Sequence, residues 1–106
     1  MAGAAPSVEL QELSPGKFAA RGPLTFATAR HARASGLAAV PAATSRELQV
    51  DCADVTHWDS AGMTVLLDWL AIAKRSGRSM RFASLSKQVQ SIARISDALE
   101  LLEKGV

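Results

Sequence analysis

From Val50 to Met63 the chain reads Val-Asp-Cys-Ala-Asp-Val-Thr-His-Trp-Asp-Ser-Ala-Gly-Met, an alternating apolar run that passes through a polar stretch into a helix opening on Ser60. A hydroxyl at a helix start has three chemical uses. It can cap the helix by accepting a hydrogen bond from a backbone N–H one turn in, which stabilises by about 1 kcal/mol. It can accept a phosphoryl group, adding about −1.5 to −2 charges where the helix dipole favours an anion, here beside the repelling carboxylate of Asp59. Or it can attack a substrate. Ala61 and Gly62 are small, so the first turn is expected to stand open to a bulky partner.

The third use finds little support. Trp58-Asp59-Ser60-Ala61-Gly62 is one residue away from the G-x-S-x-G nucleophile elbow, but Trp58 stands where the sharp turn needs its first glycine. The histidines are His31 and His57, and His57 would have to fold back along its own loop to act as base. A non-catalytic chain is therefore expected. Cys52, His57 and Asp59 do not form paired ligand clusters, and Asp51, Asp54 and Asp59 read as loop caps and solvated charge, so no metal is expected. A Gly-rich phosphate loop is absent, and no cofactor is expected.

The elements that would position Ser60 follow from periodicity and punctuation. Val8 to Gln11 alternates, Ser14-Pro15-Gly16 is a turn cluster, and Lys17 to Arg21 is extended, which predicts a hairpin. Gly22-Pro23 ends it. From Thr25 to Ala34 the alanine density predicts a helix, stopped by Ser35-Gly36, with Leu37 to Arg46 as a connecting loop around Pro41. Leu48, Val50 and Cys52 form one face of a strand that ends at Ala53, and Asp54 to Asp59 reads as loop. Ser60 is the expected N-cap of a helix reaching Arg75, closed by Gly77. Met80 to Ala83 supplies another strand. Ser86 caps a last helix through Val89, Ile92, Ala93 and Ile95, and Asp97 to Leu102 adds a further turn.

This order predicts an α/β fold, with a mixed β-sheet, an N-terminal hairpin and crossover helices packed on one face. Residues 1–6 read as a flexible N-terminal tail and 7–106 as one domain.

On the helix after Ser60, Met63, Leu66, Leu67 and Leu70 share the core sector, and Thr64, Asp68, Ala71 and Arg75 face water. Val65, Trp69 and Ile72 form a second apolar stripe. A neighbouring helix, the last one by position, would cover it; if open, it would anchor another protein. Trp58 is the other candidate for an exposed aromatic. The expected docking surface is thus Trp58, Asp59, Ser60, Ala61, Gly62, Val65 and Trp69, with Ser60 as the regulatory or phosphorylated residue.

Composition narrows the class of partner. The 106 residues are 48% hydrophobic, enough for one core, and the 12 basic and 10 acidic residues are interspersed without a basic stripe, which argues against nucleic acid. No apolar run approaches the about 20 residues of a membrane span, because Asp68 and Lys74 break the best one, so direct membrane insertion is not expected. Cys52, the lone cysteine, reads as an inert core thiol, which suits a reducing compartment such as cytoplasm.

Val50-Asp51, then Val55, then Asp59-Ser60-Ala61-Gly62-Met63 before an aliphatic helix resembles the signature of STAS domains, over nearly the whole chain. The resemblance implies a small non-catalytic switch or adaptor. In the branch of anti-sigma factor antagonists, the serine matching Ser60 is phosphorylated by a kinase-like anti-sigma factor. In the branch that serves the bacterial Mla phospholipid ABC transporter, the domain docks on the cytoplasmic ATPase subunit and supports its assembly and activity. Gly22-Pro23-Leu24-Thr25-Phe26-Ala27-Thr28 is closer to the Mla type, whose first helix opens on G-x-L-T-F-A-T, although Pro23 replaces the usual acidic residue. Placement in the cytoplasm, held peripherally at the inner face of the bacterial inner membrane through that partner, is what the Mla branch implies.

Overall fold

The structure, a computed structural model, describes residues 8–95, with side chains described to Ser91. The tail expected over residues 1–6, the side chains of Ile92, Ala93 and Ile95, and the turn expected over 97–102 lie outside the described residues.

Strands β1 (Glu9–Ser14) and β2 (Lys17–Leu24) form the expected antiparallel hairpin, pairing Glu9 with Arg21 and Glu12 with Phe18. Gly16 makes the turn at φ +79°, and its carbonyl accepts from the Gln49 N–H at 2.8 Å. Strand β2 does not stop at Gly22-Pro23 as expected but continues to Leu24, because it pairs in parallel with β3 (Glu47–Trp58) along its whole length. Strand β4 (Ser79–Ala83) pairs in parallel with the first half of β3, giving the mixed sheet β1-β2-β3-β4.

Two irregularities make β3 longer than its sequence suggests. Ala19 pairs with Asp51 but Arg21 with Asp54, and Gly22 pairs with Val55 but Leu24 with Trp58. Each time β3 spends one residue more than β2, which is a bulge, and each extra residue breaks the period-two pattern. Asp51 braces the first, its Oδ1 accepting from the Ala53 N–H at 2.9 Å. The polar residues from Asp54 to Trp58 are therefore strand, not loop.

Helix α1 spans Ala29–Ala42, four residues later in its start and much longer in its reach than the predicted helix. Thr25 to Thr28 form a turn instead, pinned by the buried Thr28 hydroxyl, which accepts from the Thr25 N–H at 3.0 Å and donates to the Pro23 carbonyl at 2.7 Å. Gly36 does not stop the helix, and Pro41 sits exposed in its last turn. Helix α2 (Ser60–Arg75) ends as expected, with Gly77 at φ +72° and the Arg78 N–H returning to the Ala73 carbonyl at 2.8 Å. Helix α3 (Lys87–Ile95) is capped by Ser86, whose hydroxyl accepts from the Val89 N–H at 3.2 Å.

Phe18, Val50 and Phe82 are cross-strand neighbours on the inner face, and the indole of Trp69 from α2 stacks near Phe82 with centroids 6.4 Å apart. The opposite face is polar: Lys17, Gln49 and Arg81 share one row, and Arg21 bridges Gln11 at 3.1 Å and Asp54 at 3.6 Å. Among the described residues, helices thus cover one side of the sheet. Among the described residues no helix is long and apolar enough to cross a membrane.

Cys52 is buried on the inner face at 3% exposure. Burial, with the charge of Asp51 adding to it, pushes its thiol up from 9.0 to about 12. The folded state then holds a proton that the unfolded state releases, so this group's contribution to stability is complete below pH 9 and is lost as the pH rises towards about 12. At pH 8 a thiol-reactive disulfide reagent is expected to modify the folded protein at least about a hundredfold more slowly than the protein in denaturant. Equal rates would place Cys52 at the surface.

Candidate functional site

The end of α2 is built by Asp59 rather than by Ser60. Asp59 adopts the extended backbone of an N-cap (φ −144°, ψ −175°), and its Oδ1 accepts from the Gly62 N–H at 3.0 Å. Its Oδ2 accepts from the Phe26 N–H, also at 3.0 Å. One carboxylate therefore ties the turn before α1 to the first turn of α2, 33 positions apart in sequence. Ser60 moves to the first helical position. Its carbonyl accepts from the Thr64 hydroxyl at 3.1 Å, and its side chain is exposed. Relieved of capping, the hydroxyl is at the surface of a helix N-terminus that has no acidic residue within its first turn.

The remaining predicted docking residues divide. Ala61 is half-buried. Gly62 is buried, and the reason for glycine is not access to the hydroxyl: a Cβ there would collide with the Leu24 carbonyl oxygen and come within 2.8 Å of its carbon. Trp58 is buried, and its carbonyl accepts from Gln88 Nε2 at 3.2 Å. Val65, Trp69 and Ile72 are buried too, so the second stripe is not an open anchor. Among the described residues, the helix that covers Trp69 is α1. Trp69 lies against Gly36, and its Nε1–H donates to the Ala32 carbonyl at 2.9 Å. A partner reaches neither tryptophan without opening the core.

What sequence reasoning missed is the apolar surface beside the tip. Phe26 is 84% exposed and Leu37 49% exposed. The Thr25–Thr28 turn points Phe26 outward, and the signal was the pair of threonines three apart, which favours a side-chain-braced turn over the start of a helix. Between α1 and α2 lies a cleft of about 510 Å³, with Leu37 and Ala34 on one wall and Ala61 and Val65 on the other. Arg33 Nε stands 4.0 Å from Asp68 Oδ2 across it, a solvent-exposed pair that contributes little.

Among the described residues no catalytic constellation is assembled around Ser60. The Nδ1 of exposed His57 has the Thr56 hydroxyl as its partner at 3.2 Å, and His31 sits on the exposed side of α1. Among the described residues no three His, Cys, Asp or Glu side chains gather as a metal site.

Fold and site together define a small α/β domain, helices on one face, that presents a helix tip and an apolar cleft. The family model described as "Mlab, STAS domain" matches residues 10–103, and the chain belongs to this MlaB-like STAS family. Domains of this family are in general non-catalytic. No curated protein matches the chain at a significant level.

Proposed function

We propose that the protein is a non-catalytic adaptor subunit that docks on the cytoplasmic ATPase of an Mla-type phospholipid ABC transporter, supporting the machinery that maintains outer-membrane lipid asymmetry. The observation that carries this reading is the match to the MlaB-like family, joined to a Ser60 tip that is freed from capping and exposed. The contact surface is Asp59, Ser60 and Ala61 with Phe26 beside them. Membrane association comes through the partner.

The test is co-purification of the tagged protein from its own host, with the ATPase and permease subunits as the expected companions. Ser60→Asp is expected to weaken ATPase binding by tenfold or more while moving Tm by no more than about 2 °C, because a charge at this first helical position meets the favourable dipole and the repelling Asp59 together. A variant that unfolds would make Ser60 a structural residue and remove the basis for docking at the tip.

A second reading, an anti-sigma factor antagonist switched by phosphorylation of Ser60, is favoured by one observation, the exposed hydroxyl at a helix N-terminus. A kinase-like anti-sigma factor as the co-purified partner, with a phosphoryl group on Ser60 read by intact mass after incubation with ATP, would select it over the transporter reading.

A further inference from the structure

We infer that the cleft between α1 and α2 receives an acidic amphipathic helix of the docking partner, laid lengthwise from the Ser60 tip. The adaptor reading supplies the identity of the partner, and the cleft alone supplies the chemistry of what enters it.

Three features carry the inference. The first is shape: Ala29 and Ala61 line the cleft next to the two helix starts, and Leu37 and Asp68 line its far end, so it follows both helices in the same direction. At 1.5 Å per residue the span from Ala29 to Leu37 is about 12 Å, two turns of a guest helix. The second is the apolar lining of Ala34, Leu37, Ala61 and Val65, with Leu37 half exposed in the absence of a guest. A guest supplying aliphatic side chains at i, i+3 or i+4, and i+7 would cover it.

The third is charge. Arg30 and Arg33 form the rim on the α1 side, and Arg30 has no ion-pair partner among the described residues. The one acidic side chain of the lining, Asp68, is already opposite Arg33. Both helices also point their N-termini to the same end, where the Asp59 carboxylate already satisfies the Gly62 and Phe26 N–H groups, so the unspent positive charge of the cleft is that of the arginine rim. A guest with carboxylates on the flank that faces α1 is matched by Arg30 and Arg33, and a guest with lysines on that flank is repelled. The same field explains why a negative charge on Ser60 would loosen the guest, since it would stand at the mouth of the cleft.

The test uses the full chain and two synthetic helical peptides of about 16 residues, each with leucines at i, i+3 and i+7, one flanked by glutamates and the other by lysines. The glutamate peptide is expected to bind at least about tenfold more tightly, to weaken between low and physiological salt, and to shift the amide resonances of Arg33, Leu37 and Ala61. Leu37→Glu, at an exposed position that leaves the fold intact, should abolish the binding. The double variant Arg30→Glu with Arg33→Glu should invert the preference towards the lysine peptide. Equal affinity for both peptides, or shifts confined to another surface, would overturn the proposal. So would a wild-type dimer that Leu37→Glu converts to monomer, because a second copy would then be the occupant.

The same variants in the co-purification separate the two levels of inference. Loss of the ATPase with Ser60→Asp, but full retention with Leu37→Glu and with the arginine pair reversed, removes the cleft and leaves the adaptor. Failure of the wild type to hold the ATPase, with peptide binding as expected, removes the adaptor and leaves the cleft as an acidic-helix site.

Discussion

Gly62→Ala is expected to destabilise the domain by about 3 kcal/mol, the upper end of what overpacking costs. The sign is what makes the experiment informative. Helix propensity alone favours alanine over glycine inside a helix by about 1 kcal/mol, so a purely local view of α2 predicts a gain. The structure predicts a loss, because the added Cβ meets the carbonyl group of Leu24, and that group belongs to the last residue of β2. Backbone in a paired strand cannot swing aside as a side chain can. Relief requires α2 to lift from the sheet edge, which would also stretch the Asp59 link to Phe26. Urea unfolding monitored by circular dichroism measures the difference directly. A midpoint at or above that of the wild type would show that β2 and α2 are not in contact at this point.

Trp69→Ala should be costlier still, about 3–5 kcal/mol, in a domain whose whole stability is expected near 5–15 kcal/mol. Trp69 is fully buried, sits between Phe82 of the sheet and Gly36 of α1, and donates its indole N–H to the Ala32 carbonyl. Truncation leaves a cavity at the junction of three elements and removes the contact that holds α1 down. Trp69→Phe keeps most of the ring and loses the hydrogen bond, so about 1–2 kcal/mol is expected from it. The ratio between these two losses distinguishes packing from hydrogen bonding. A near-neutral Trp69→Ala would mean that the indole is at the surface, as an anchor for a partner requires.

The hairpin, β4, the body and C-terminal stop of α2, and the Ser86 cap were legible because each rests on local chemistry: a turn at Gly16, a left-handed Gly77, a hydroxyl one turn before Val89. The misreadings share a different cause. Gly36 and Pro41 are helix breakers by propensity, yet α1 runs through both, since Gly36 is where Trp69 packs closest and Pro41 lies in a final turn. No local rule connects residue 36 to residue 69. In β3 the two bulges scramble the alternation just where the strand leaves β4 behind, and the resulting polar stretch looks like loop.

At the site itself the aspartate-serine pair was found but its roles were exchanged, because both residue types cap helices and the choice depends on which backbone lies within reach. Phe26 and the cleft were invisible for the same reason that Trp69 misled: facing surfaces come from segments more than thirty residues apart. The buried stripe on α2 and the exposed phenylalanine before α1 are two halves of one arrangement. Covering the first with α1 is what carries the second to the tip.

The Asp59 carboxylate, with one oxygen committed to each of two segments, would make recognition at the proposed docking tip a report on completion. A nascent chain shows a finished tip only after β3 has inserted beside β2 and the following helix has started, so half-assembled copies lack the surface altogether. A partner docking here, as proposed, would therefore favour the folded domain over chains in which the two segments have not yet met.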